Sequence, residues 1–215
     1  MKKDSVLVIC AHSDDEIFGP GGTIAKYAQE GKKVYSIIFS FGETTHIHLK
    51  KPIAVKMRVK EAKEADKVIG GKGVRFLGLN ETKFEKEAKE KDTYKKLKQI
   101  ITEKKPAKIF THSIDDPHTD HRAVYKIVTD TYDSMRYKCD VYSFDVWNPI
   151  NFRKRDQPKL YVDITDTFKT KLSALRCFES QKIAMITLLW SVYLRAIING
   201  LHNHCKYAER FYKIR

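Results

Sequence analysis

The sequence predicts an α/β fold: a Rossmann-like, mostly parallel sheet with helices on both faces, formed as a single domain over residues 1–215. Three observations predict it. Short apolar runs alternate with segments of helical period, the pattern of a parallel sheet flanked by helices. Clusters of acids and histidines follow two of those runs, at residues 12–16 and 115–121. In open α/β sheets the carboxyl ends of the strands are where ligands gather. No repeat, low-complexity tract or linker divides the chain, and 215 residues bury about 70% of the surface that an unfolded chain exposes.

Each element has its own justification. Residues 5–10 form a strand of the buried type, and residues 21–29 the helix after it, ended at Gly31. Residues 34–40 read as the second strand. Over 54–69, Val55, Val59, Ala62, Ala65 and Ile69 recur at helical spacing before Gly70-Gly71 closes the run. Residues 74–77 make a short strand, 92–103 a helix stopped before Pro106, and 108–111 a fourth strand. A helix follows from about His121 to Tyr137, then a strand at 141–144. The polar segment 148–158 reads as a loop over the sheet edge, 160–163 as a strand, and 165–178 as a helix. An apolar helix over 183–198 and a short terminal helix complete the chain.

Composition narrows the class. Cys10, Cys139, Cys177 and Cys205 are far apart and form no CxxC, so buried free thiols and a reducing, cytoplasmic setting are expected. The N-terminus leads into too short an apolar run for a signal peptide. The apolar stretch 183–194 falls short of the ~18–20 residues that span a bilayer, which makes it a buried or oligomer-forming helix. The net charge of +14 is spread over lysine-rich helical segments interleaved with glutamate, as in a solvated surface.

Two constellations carry chemistry. The first strand runs straight into His12, Asp14, Asp15 and Glu16. Charge beside an apolar strand is costly unless it is paired, and a divalent metal would pair it. The following Gly19-Pro20-Gly21-Gly22 lacks the order of a phosphate-binding loop and reads as a turn and helix start. The second constellation, Asp115 to Arg122, offers His118 and His121 with Asp120 between them, just beyond the fourth strand. Folded against each other, the two supply nitrogen and oxygen ligands that zinc accepts, with groups left over for acid–base work. Taken singly, each has a plainer reading: a helix-start acid cluster in the first case, surface histidines in the second.

Together these segments resemble a known family. Ala11-His12-Ser13-Asp14-Asp15-Glu16 and His118-Thr119-Asp120-His121 are similar to the AHPDDE and HPDH-type motifs of the LmbE/PIG-L family of zinc-dependent N-acetylglucosaminyl deacetylases. Arg58, Glu61, Ala65 and Ile69-Gly70 match its R..E...A...lG helix. Lys171, Ala174-Leu175 and Ser180-Gln181 match its K..AL....SQ stretch, and Ala208-Glu209 with Phe211 its AE.F. Ser13 and Thr119 stand where the family has proline, which implies a less rigid loop at positions that are neither ligand nor base.

The resemblance implies that His12, Asp15 and His121 hold zinc, with ferrous iron as the other metal that two nitrogens and a carboxylate suit. Asp14 is implied as the general base toward a zinc-activated water. His118 is implied to steady the oxyanion or protonate the departing amine, with Asp120 orienting its imidazole. Arg58 is implied to hydrogen-bond a polar substrate. The expected activity removes the N-acetyl group from a small N-acetylglucosamine-containing molecule. Two alternatives stand beside it: an amidase of amino-sugar thiol conjugates, and a basic nucleic-acid-binding protein with a structural metal. The cysteines are not arranged for the latter, so no nucleic-acid partner is expected.

Several residues stay open between roles. Glu16 is either structural or a support for the site. His46 and His48 belong to a solvated loop or the pocket rim, and His112 packs at a strand end or backs the site. Ser180-Gln181 reads as a cap or a pocket element. Trp147, Tyr161 and Trp190 are packing candidates, Trp147 also a wall for a sugar ring, and His202 and His204 are surface residues.

Overall fold

Strand β1 (Ser5–Cys10) is buried at every residue because it has a neighbour on each side and a core on each face. The computed structural model describes residues 4–42, 50–147 and 156–215. Along β1 the side chains alternate: Val6, Val8 and Cys10 enter one apolar cluster, and Leu7, Ile9 and Ala11 follow the strand's period into the other.

The other strands are β2 (Lys33–Ile38), β3 (Val74–Phe76), β4 (Lys108–His112), β5 (Asp140–Phe144), β6 (Lys159–Asp163) and β7 (Ala208–Lys213). They form one seven-stranded sheet in the order β3-β2-β1-β4-β5-β7-β6. The pairs β3–β2, β2–β1, β1–β4 and β4–β5 are parallel, and β7 is antiparallel to both β5 and β6. The chain moves outward from β1 through β2 to β3, then returns to place β4 on the other side of β1. That reversal is the topological switch point, and it opens a crevice beyond the carboxyl ends of β1 and β4.

Helices cover both faces. One core takes the short α1 (Asp15–Phe18), α2 (Gly21–Gln29), α3 (Lys51–Val68), α7 (Phe168–Leu175) and α8 (Lys182–His202). The other takes α4 (Phe84–Glu90), α5 (Thr93–Lys104) and α6 (Thr119–Asp133). Among the described residues no helix is long and apolar enough to cross a membrane.

The expected architecture is present, with three corrections. The terminal segment is the strand β7, not a helix. It is inserted between β5 and β6, with Tyr212 paired to Ser143 on one side and Lys159 on the other. Ladder bonds on both edges override the local pattern. Helix α4 lies in a lysine-rich segment read as an exposed helical face, yet it buries Phe84 and Ala88. Of the four free cysteines only Cys10 is fully buried; the other three are partly exposed. The expected loop over 148–158 and the segment holding His46 and His48 lie largely or wholly outside the described residues.

The turn between α1 and α2 is held from beneath. Lys171 Nζ, fully buried, donates to the carbonyls of Phe18 (3.0 Å) and Gly19 (2.9 Å) and to Glu209 Oε1 (2.6 Å). The Glu209 carboxylate accepts from the Gly22 and Thr23 N–H groups at 2.9 and 2.8 Å, closing the free amides that open α2. These bonds explain Lys171 and the Ala208-Glu209 pair. Close approach explains Gly22: a Cβ there would stand 2.7 Å from Ile164 Cδ1, and Ile164 is itself buried. Gly22→Ala is therefore expected to lower stability by about 1–3 kcal/mol, read as a fall in the urea midpoint at unchanged slope.

Candidate active site

Two turns meet at the switch point. The Ala11 N–H, just past β1, donates to His112 Nε2 at the end of β4 over 3.0 Å, stitching the strand ends together. Beyond this stitch, Asp15 becomes the centre of a buried cluster at 2% exposure. Its Oδ2 accepts from the His12 N–H at 2.8 Å and lies 3.3 Å from His112 Nε2. Its Oδ1 lies 3.4 Å from His121 Nε2, and His12 Nδ1 is 3.5 Å from Oδ2. His12, Asp15 and His121 each present a ligand atom, and these atoms lie within 4.8 Å of one another. The three residues expected as ligands are thus brought together from α1, α6 and the turn after β1.

The electrostatics follow from this crowding. Burial alone would raise Asp15, but His121 and His112 beside it hold its carboxyl well below the usual carboxylate range. Burial depresses His12, yet its hydrogen bonds to the Asp120 and Asp15 carboxylates outweigh that and carry the imidazole up to about 10. His121 rises to about 9 against its own burial, through Asp15 and Asp116. His112 falls to about 4 because burial and the neighbouring His121 both oppose its charge. The two rings stack 3.8 Å apart.

Asp14 stands apart from the ligand group but on the same pocket wall. Its backbone is strained, at φ 134°, a region that non-glycine residues rarely adopt. Surrounding bonds hold it there. The Asp14 N–H donates to Glu16 Oε2 at 3.0 Å, and its carbonyl accepts from Ile17 and Phe18 at 2.9 and 2.8 Å. Arg58, 1% exposed, donates from Nη2 to the Ser13 carbonyl at 2.5 Å and lies 3.6 Å from Asp14 Oδ2. Burial lifts the Asp14 carboxyl to about 6, with Arg58 opposing the rise. Glu16 is fully buried behind it and pushed up to about 8 by burial, which makes it a brace for the strained turn.

One expected pairing is corrected. The Asp120 carboxylate does not hold the His118 ring; its Oδ2 lies 3.2 Å from His12 Nε2, and its Oδ1 accepts from the Thr82 N–H at 2.9 Å. What reaches His118 is the Asp120 backbone N–H, donated to Nδ1 over 3.2 Å as a cap on α6. In a neutral ring that bond leaves the proton on Nε2.

Three contributors were missed. Asp116 lies 3.0 Å from His121 Nδ1, and its carboxylate also accepts from the N–H groups of His118, Val146 and Trp147 at 3.0, 3.2 and 3.3 Å. Its place in an Asp-Pro turn two residues before a histidine was the available signal. Thr82, at φ 65°, supplies the N–H that fixes Asp120, and Glu81 beside it lines the pocket. No local pattern announced either. Ser180 and Gln181 both line the pocket, and the Ser180 N–H and hydroxyl donate to the Glu61 carboxylate at 2.8 and 2.6 Å.

These residues border a cavity of about 570 Å³, within the ordinary range for a small-molecule site. His12, Asp14, Asp15, Arg58 and His118 line it, together with the apolar side chains of Trp147, Ile183 and Leu188. His112 is fully buried and backs the cluster, while His202 and His204 are exposed, as expected.

The PIG-L family model, described as GlcNAc-PI de-N-acetylase, matches residues 7–132, more than half of the chain and both turns of the site. The chain belongs to the PIG-L family. A 4-oxalmesaconate hydratase of Pseudomonas putida is 26% identical over 212 residues, covering 90% of this chain and 78% of that protein. A diacetylchitobiose deacetylase of Thermococcus kodakarensis is 26% identical over 224 residues, covering 95% and 80%. The solved structure of the 4-carboxy-2-hydroxymuconate hydratase from Pseudomonas putida aligns with a TM-score of 0.83 at 22% identity, over 99% of this chain and 96% of that one. That likeness shows the common fold. The proteins that this chain resembles are thus named for deacetylation and for hydration.

Asp116→Ala would strip three backbone N–H groups of a buried acceptor. A loss on the order of 2–4 kcal/mol is expected in urea denaturation, and a change under 1 kcal/mol would show that the turn does not depend on it.

Proposed function

We propose that this PIG-L family chain is a metal-dependent hydrolase that removes the N-acetyl group from a small N-acetylglucosamine-containing molecule, residues 1–215 acting as one deacetylase domain. The observation that carries the reading is His121. Its Nε2 is fully buried and has no hydrogen-bond partner, yet it lies beside a buried carboxylate and a second imidazole. An unpartnered buried nitrogen costs about 1–3 kcal/mol, and a cation shared with Asp15 and His12 would remove that cost. Two imidazoles and one carboxylate suit zinc, or ferrous iron, and leave a tetrahedral position free for reactants. A metal held there would lower the pKa of water from roughly 15.7 to about 7 and polarise the acyl carbonyl.

The remaining roles belong to the chain's own groups. Asp14, fixed on the pocket wall without being part of the ligand group, accepts the proton of the attacking water. His118, with Nδ1 already occupied, offers Nε2–H to the developing oxyanion or the departing amine. Asp120 positions His12, and Asp116 positions His121. Arg58 keeps the Ser13–Asp14 backbone in place and borders the cavity, where its guanidinium would meet a polar substrate. The four free cysteines accord with a cytoplasmic setting.

A second reading, hydration of an unsaturated carboxylate, is favoured by the similarity to the hydratase. The family model, described as GlcNAc-PI de-N-acetylase, and the similarity to a diacetylchitobiose deacetylase favour deacetylation over it. An amidase of amino-sugar thiol conjugates would share the metal site and differ in the acyl group accepted.

The deciding experiment measures acetate release from a panel of N-acetylglucosaminyl compounds, alongside hydration of unsaturated carboxylates, with chelation and metal add-back. Acetate release that chelator abolishes and zinc restores is expected; hydration without acetate release would overturn the reading. Asp14→Asn should keep its metal and lose roughly 10²–10⁴-fold in turnover. Metal lost together with turnover would make Asp14 a ligand instead. His121→Ala should come through purification with little bound metal, and full stoichiometry in that variant would remove it from the ligand set.

A further inference from the structure

Helix α8 is apolar on both faces. Leu188, Val192 and Ala196 enter the core, while on the opposite side Ile183, Ile186, Trp190 and Leu201 are 81, 79, 52 and 73% exposed. A helix that is apolar all round is ordinarily covered. Of the twelve large apolar side chains exposed among the described residues, eight lie on this one helix. Their combined face is on the order of the ~800 Å² per partner that a standard protein interface buries, and exceeds the ~300–600 Å² patch of a typical monomer.

We propose that this face pairs with α8 of a second copy of the same chain, the two helices running antiparallel. Three observations select that occupant. The exposed residues Ile183, Ile186, Trp190, Tyr193, Ile197 and Leu201 recur at steps of three and four, the narrow seam that a facing helix fills. The seam is free of like charge. Between Lys182 and His202 the only charged side chain is Arg195, which is turned inward to the carbonyls of Ser191 and Asp145. Two chains of net charge +14 can approach through such a face without opposing their lysines. Antiparallel pairing also sets each Lys182 beside the negative end of the partner helix, whereas parallel pairing would set the two lysines together.

A lipid surface fits less well. Interfacial helices set a cationic polar face against the apolar one, and α8 has apolar core contacts in that place. Ile183 belongs to both the seam and the pocket wall, so the second copy would stand at the mouth of the cavity.

Sedimentation equilibrium of the full chain tests this without substrate or metal, so its outcome is independent of the proposed reaction. A dimer of the 25.0 kDa chain is expected at micromolar concentration, and Trp190→Glu should return the mass to that of one chain with unchanged circular dichroism. Leu201→Glu, at a more exposed position, serves the same purpose should Trp190→Glu fail to fold. A wild-type monomer at 100 µM, or a dimer that survives a folded variant, would overturn the proposal. So would a monomer that co-sediments with phosphatidylglycerol vesicles only while Trp190 is present, which would assign the face to lipid.

Discussion

A carboxylate cannot be buried in an apolar sheet edge unless positive or hydrogen-bonding groups surround it, and Asp15 is such a carboxylate. Its partners come from both sides of the switch point: the His12 backbone N–H from β1's turn and the His121 ring from α6, with the neutral His112 packed against them. Losing either partner leaves charge uncompensated where water cannot replace it. The convergence of the two turns is therefore a condition of burying Asp15 at all. The same condition gathers the nitrogen and oxygen donors that a divalent cation would use.

Holding the turn to that geometry takes support from elements distant in sequence. Arg58 on α3 fixes the Ser13 carbonyl, and Lys171 on α7 fixes those of Phe18 and Gly19. Glu209 on β7 closes the start of α2. Ser180 in turn binds Glu61, one helical turn beyond Arg58 and 3.9 Å from its guanidinium. The turn from residue 13 to residue 23 is thereby pinned from three directions. This is consistent with a strained φ at Asp14, since strain persists only where neighbouring bonds over-determine the backbone.

How much of this could be read beforehand follows from how local each signal is. Strand β1 and helices α2, α3 and α5 carry their period within a single window, so their places were plain. That His12, Asp15 and His121 would meet was legible from their matching strand-end positions joined to the family motifs, since each segment alone has a plainer reading. Strand β7 was not legible, since its conformation depends on ladder partners that only the folded sheet supplies. The exchange of Asp120 from His118 to His12 was hidden for a similar reason. Adjacent residues on a helix do not face each other, so sequence neighbours made poor predictors of contact. Thr82 acts through its backbone N–H, which no residue pattern encodes, and Asp116 had only its Asp-Pro turn before a histidine to announce it.

Deacetylation and hydration, the two activities for which the relatives are named, both add water to an electrophilic carbon. Fold and cluster serve either, so substrate choice falls to the rest of the cavity. Around this pocket acidic, cationic and apolar side chains stand together, the last from Trp147, Ile183 and Leu188. The proposed acetamido sugar would set its amide against the polar groups and the apolar face of its ring against Trp147. On that reading the cavity beyond the cluster, and not the cluster itself, decides which carbon the water meets.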